Sequence, residues 1–195
     1  MIAELVRVER EGARITDDEM IAMVFLLLFA GHETTTHLIS GSVYELVRQH
    51  EVRDWLAADR ARVDAAIEEF LRFVSPVQFS KPRFVRTATQ LGGAQLEAGD
   101  KIMAMLTAAS RDPTAVADPD RLDLARIPNR HMAFGAGSHF CLGHQLARLE
   151  GKCALIALLT RWPTLDLAAD ASAIRWRPRL GLRAIERLPV SAAVR

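Results

Sequence analysis

Cysteine, tyrosine and any imbalance of charge are scarce in this chain of 195 residues. The 2 cysteines, Cys141 and Cys153, stand in apolar sequence and are too few for a disulfide framework, so a reducing, cytoplasmic setting is expected. Lys and Arg number 25 against 24 Asp and Glu, a net charge of +1, and no basic stripe with interleaved aromatics announces nucleic acid. A long apolar run is missing too. The most apolar stretch, Met20 to Ala30, falls short of the roughly 20 residues a bilayer demands and lacks the flanks of a signal peptide, so neither membrane nor secretion is expected. There is no Gly-Lys-Ser/Thr for a phosphate loop. His32 and His37 stand five apart, not the four that would place a zinc-protease pair on one helix face. What is present, 50% hydrophobic and 25% charged side chains, is the composition of a soluble globular protein with enough chain for a core.

Proline is absent from Asp17 to Phe73, and helix is expected to dominate there. Thr16 followed by Glu19, with Asp17 and Asp18 between them, has the form of a capping box. The pattern then continues to about Arg48, which predicts a helix over 17–48, a rod of roughly 45 Å. Its segment FLLLFAG is apolar all round, as in a helix that runs through the middle of something larger. A second helix is predicted over 63–73 and stopped by Ser75-Pro76. From Val77 to Ile102, short strands separated by Gly92-Gly93 and Gly99-Asp100 are expected. Helix is expected to resume over Met103 to Ser110. A long irregular segment rich in Pro, Asp and Arg then leads to a third major helix over 142–162, closed by Pro163. Ala173 to Trp176 and Leu182 to Leu188 read as further short strands.

Three constellations carry chemistry. In Phe134 to Gly143, Gly135, Gly137 and Gly143 surround Cys141 immediately ahead of a helix. Glycines let backbone approach a flat ligand, and a thiolate at a helix N-terminus is stabilised as a soft metal ligand or nucleophile. A structural cysteine in a glycine turn is the plainer reading. A zinc site from His139, Cys141 and His144 would be crowded and short of a fourth ligand. Within the long helix, AGHETT places Gly31, Glu33 and Thr34 beside an apolar run, room for a small ligand next to a hydroxyl and a carboxylate. Glu69 and Arg72, spaced i to i+3, are either a surface ion pair or, if buried, a structural clamp.

Taken together, Phe134-Gly135-x-Gly137-x-His139-x-Cys141-x-Gly143, Glu69-x-x-Arg72 and Ala30-Gly31-x-Glu33-Thr34, in this order, resemble the cytochrome P450 family in its soluble bacterial form. The likeness extends from VRVEREGARITDDEMIAM to the terminal Leu188 to Val190. It implies a mainly α fold with small β-sheets, one partial domain over 1–195. That domain would comprise the I-like helix 17–48, the K-like helix 63–73, the haem-binding loop 134–143 and the L-like helix 142–162. A complete member is about twice this length, so the resemblance also implies an N-terminally truncated form. The implied function is a haem-thiolate monooxygenase, an iron-binding oxidoreductase that hydroxylates C–H bonds using O2 and two electrons. The alternative is an inactive fragment that retains at most haem or protein binding.

By the same resemblance, Cys141 would be the proximal thiolate of heme b (iron protoporphyrin IX), with Phe134, Gly135, Gly137 and Gly143 lining it. Thr34, Glu33 and Gly31 would serve oxygen activation. Arg83, His131 and His139 would hold the propionates, and Arg121 would join Glu69 and Arg72 in a buried network. Phe25, Phe29, Ala30, Val77, Gln78 and Trp176 would face an apolar small-molecule substrate. A ferredoxin or flavoprotein would donate electrons.

Overall fold

A computed structural model describes Arg7 and residues 16–192; most of the VRVEREGARI segment lies outside the described residues. Helix α1 spans Asp17–Arg48. It begins where the capping box closes: the Thr16 N–H donates to Glu19 Oε2 at 2.9 Å, and the Glu19 N–H donates to Thr16 Oγ1 at 3.3 Å. Two donors that a helix start leaves unpaired are thereby satisfied. Helix α2, His50–Ala58, follows after Gln49. Helix α3, Val63–Val74, buries Val63, Ala66, Ile67, Phe70, Leu71 and Val74 at helical spacing. It ends where Ser75 turns left-handed, at φ 41°, ahead of Pro76.

Among the described residues the strands form three antiparallel pairs. Strand β1, Arg83–Phe84, pairs across the intervening hairpin of β2, Thr89–Leu91, and β3, Ala94–Leu96, with β4, Lys101–Ile102. Gly92 and Gly93 form the two-residue hairpin loop at φ 57° and 84°, the left-handed geometry that such a turn requires. The helix expected over Met103 to Ser110 shrinks to α4, Leu106–Ala109, because extended backbone at Met105 bridges to Phe79. No helix or strand covers 110–136.

Helix α5 spans His144–Arg161, two residues inside the expected start. Leu142 and Gly143 are drawn into a turn in which the His144 N–H donates to the Cys141 carbonyl at 3.4 Å. The C-terminal strands fall elsewhere than the sequence suggested. Asp166–Leu167, β5, pairs with Val190–Ser191, β6, while Trp176 and Ile185 form only an isolated bridge. Pro178 and Gly181, the latter at φ 86°, break the intervening segment before longer strands can form.

The core lies where α1, α3 and α5 meet, with Leu38, Leu46, Ile67, Phe70 and Leu155 almost wholly enclosed. Gly41 on α1 allows close approach to α3: a Cβ there would overlap Val74 Cγ1 and lie 3.4 Å from Cγ2. Only the C-terminal half of α1 takes part. Ser42 and Glu45 are buried in that half, whereas Phe25, Leu28 and Phe29 are 70%, 62% and 58% exposed. By length and hydropathy α1 could span a bilayer. Its packing buries Thr35, His37, Leu38 and residues 41–47 in the interior of the protein, polar groups included.

Candidate functional site

Glu69 and Arg72, on the inner face of α3, are both 0% exposed and joined by a two-bond fork, Nη2 to Oε1 at 2.7 Å and Nε to Oε2 at 2.8 Å. The reading as a surface ion pair is thereby excluded. The irregular segment after α4 is organised around this pair. Arg72 donates to the carbonyls of Ser110, Pro119 and Arg121 at 3.2, 2.7 and 3.0 Å. Glu69 accepts from the Asp123 N–H and from Asn129 Nδ2, both at 2.9 Å. Arg121 does not supply the third side chain: it is exposed and enters through its carbonyl. Arg126 takes that place, its Nε 3.2 Å from Glu69 Oε2 and its guanidinium also donating to the carbonyls of Ala117, Asp118 and Arg121. The chain turns inward between the buried Leu122 and Leu124 and delivers Arg126, rather than Arg121, to the carboxylate.

The segment so anchored leads into the cysteine loop. Gly135 and Gly137 have φ of 70° and 74°, a conformation costly for any residue with a Cβ. A 3-10 turn, Gly137–His139, precedes Phe140. The Cys141 N–H donates to the Phe134 carbonyl at 3.0 Å, closing the loop on itself. Cys141 is a free, part-exposed thiol; Cys153, on α5, is free and exposed. Phe134 meets the rings of His131, Phe140 and His144 edge-on at 6.0, 6.3 and 6.0 Å.

Behind this loop lies a charged cluster that the sequence reading missed. Arg148 forks onto Glu68, Nε to Oε1 at 2.6 Å and Nη2 to Oε2 at 2.9 Å. Its Nη1 lies 2.8 Å from His144 Nδ1, and its guanidinium stands 4.6 Å above the Phe134 ring. His131 is spent in the same cluster, with Nε2 3.0 Å from Glu68 Oε2 and Nδ1 accepting the Ala133 N–H at 3.3 Å. Both of its ring nitrogens thus have partners within the protein. Burial pushes the Glu68 carboxyl up, but the hydrogen bonds and charges of Arg148 and His131 outweigh it and hold the group at about 2. The bond to Glu68 in turn holds Arg148 above its ordinary range, and the nearby Cys141 adds to this. The only advance signal was that Glu68 precedes Glu69 in α3.

The other expected residues lie apart from this cluster. Arg83, on β1, and His139 are exposed. On α1, Thr34 donates its hydroxyl to the Ala30 carbonyl at 2.8 Å. Glu33 pairs with Arg179 through Oε1, and the same oxygen lies 3.7 Å from the buried His37 Nε2. A Cβ on Gly31 would meet nothing within 4 Å. Phe25 and Phe29 stack on each other at 6.4 Å, while Trp176 packs edge-on against Tyr44 at 5.7 Å as part of a small core.

Known proteins supply the wider comparison. A family model described as Cytochrome P450 matches residues 1–167. The chain is 42% identical over 190 residues to the steroid C26-monooxygenase of Mycolicibacterium smegmatis, covering 97% of this chain and 47% of that protein. It is 41% identical over 187 residues to the vitamin D(3) 25-hydroxylase of Pseudonocardia autotrophica, covering 96% and 46%. The tirandamycin C-bound P450 monooxygenase TamI superposes with a TM-score of 0.94 at 36% identity, covering 98% of this chain and 48% of TamI. The chain thus spans about half the length of the curated relatives it matches.

Proposed function

Because the chain belongs to the cytochrome P450 family, whose members are haem-iron monooxygenases, we propose that it forms the thiolate side of a bacterial haem monooxygenase hydroxylating apolar small molecules. The observation that carries this is Cys141: a free, part-exposed thiol, held by a backbone bond in a glycine turn at the start of α5. The donor set fits heme b. One soft sulfur is the ligand such an iron takes, the exposed Phe140 and Leu142 beside it suit a flat apolar macrocycle, and the exposed Arg83 and His139 suit its two carboxylates. Gly135, Gly137 and Gly143 would keep side chains off its face, and Phe134 would support the loop from behind.

Heme b, when bound, supplies the activation of O2 and the transfer of a hydroxyl group to carbon. The protein's own part is to hold the sulfur, exclude water and manage protons. On α1, Glu33, paired through Oε1 with Arg179, would share the oxygen-activation role with Thr34. Thr34 Oγ1, whose own hydrogen is committed to the Ala30 carbonyl, keeps its lone pairs to accept a hydrogen bond. Gly31, with open space where a Cβ would stand, leaves room for a small ligand. On this reading a ferredoxin or flavoprotein supplies two electrons, the protein works in the cytoplasm, and neither nucleic acid nor membrane takes part.

The exposed Phe25, Leu28 and Phe29 favour a second reading, an inactive P450 fragment retaining at most haem or protein binding, because a substrate pocket needs such residues enclosed. One set of measurements separates the two. Haem-loaded protein, reduced and treated with CO, is expected to show a thiolate-type Soret band that Cys141→Ala abolishes; a band that survives the substitution overturns the ligand assignment. Substrate-dependent O2 consumption supports the monooxygenase, and stoichiometric haem uptake without it supports the fragment.

A further inference from the structure

Arg148 reaches both ends of the cysteine loop. Its fork onto Glu68 ties α5 to α3, its Nη1 meets His144 at the first turn of α5, and its charged plane covers Phe134, the residue whose carbonyl holds the Cys141 N–H. Phe134 and His144 bracket the loop, so one guanidinium touches both of its ends. Glu68 also holds His131, which meets the Phe134 ring from another side. We infer that Arg148, clamped by Glu68, is a positioning residue that fixes the Cys141 loop. This deepens the reading of Cys141 as a haem ligand and rests on it.

Two physical features argue for position rather than general stability. The fork is bidentate and charge-assisted, and it fixes direction as well as distance. The bonds join segments far apart in sequence, 68 with 148, which neither α3 nor α5 needs for its own helicity. A loop gripped at both ends by one guanidinium should loosen in a graded way as that anchor is weakened.

The test compares Arg148→Gln, Arg148→Lys and Glu68→Gln with the wild-type chain by two readouts. In haem-free protein, hydrogen exchange of residues 134–144 is expected to accelerate about tenfold or more in Arg148→Gln, and less in Arg148→Lys. In haem-loaded protein, Arg148→Gln is expected to weaken the thiolate-type Soret band and speed haem loss about 10- to 100-fold. Arg148→Lys, which keeps one bond to Glu68 and loses the fork, should fall between wild type and Arg148→Gln in both readouts. Unchanged exchange together with an unchanged band and haem-loss rate in Arg148→Gln would overturn the inference. If that variant does not fold, the same result in Arg148→Lys and Glu68→Gln overturns it. A wild-type protein without any thiolate-type band refutes the ligand reading instead, while the exchange measurement still decides whether Arg148 holds the loop.

Discussion

Glu69 stands at 0% exposure with five donor groups turned towards it, from Arg72, Asp123, Arg126 and Asn129. A buried carboxylate is tolerable only when its charge and lone pairs are matched in this way, and removing a partner leaves an uncompensated charge. Arg72→Ala is therefore expected to lower stability by about 3–5 kcal/mol. Arg126→Gln should cost about 1–3 kcal/mol, since it leaves one charge-assisted partner of Glu69 unmade. Arg121→Gln, which keeps the carbonyl that matters, should change stability by no more than about 0.5 kcal/mol. Urea unfolding of the three variants checks the order, and an Arg121→Gln cost equal to that of Arg126→Gln would restore Arg121 to the cluster. The pair Glu69 and Arg72 was legible in the sequence because a helix fixes the geometry of i and i+3. Arg126 was not, because a segment without periodicity contains several arginines and only its path decides which one turns inward.

Helix α1 joins two unlike halves. The sequence shows both ends of it, since the capping box and the absence of proline are local facts. It does not show that Thr35, His37, Leu38 and residues 41–47 are buried while Phe25, Leu26, Leu28 and Phe29 lie open, because an apolar run reads the same whether or not a neighbour covers it. The two glycines of the helix measure the contrast. Gly41→Ala forces a Cβ into Val74 and is expected to destabilise by about 1–3 kcal/mol through overpacking. Gly31→Ala meets nothing and gains helix propensity, an expected stabilisation of about 0.5–1 kcal/mol. Thermal unfolding of both variants reads the sign; destabilisation by Gly31→Ala would mean that α1 is packed at that turn as well. In α5 the boundary moved for a similar reason. Leu142 and Gly143 become a turn because the His144 N–H is committed to the Cys141 carbonyl and Gly143 is a poor helix former.

The chain exposes 12707 Å² of surface, against about 9,200 Å² for a compact monomer of its 21.6 kDa. Part of the excess is apolar and contiguous along one helix, where Ile21, Phe25, Leu26, Leu28 and Phe29 are all exposed. Patches of this kind drive association in water. Sedimentation velocity over a range of concentrations is expected to show self-association that Phe25→Ser with Leu28→Ser weakens; a monodisperse wild-type monomer throughout would count against it. The same face bears on function, since a chain that spans about half the length of its relatives while superposing on TamI at a TM-score of 0.94 keeps the local geometry of the family fold.

By itself the sequence determined the features that arise within a few turns of chain: the helix starts and stops, the Glu69 and Arg72 spacing, and the glycine loop around Cys141. These follow from steric and hydrogen-bond rules that act between near neighbours. Tertiary structure alone decided that Arg126 rather than Arg121 completes the buried cluster, that Glu68 claims both Arg148 and His131, and that half of α1 is bare. Each of those outcomes depends on which distant groups can reach a desolvated charge or an apolar face, and only the folded path of the chain settles that.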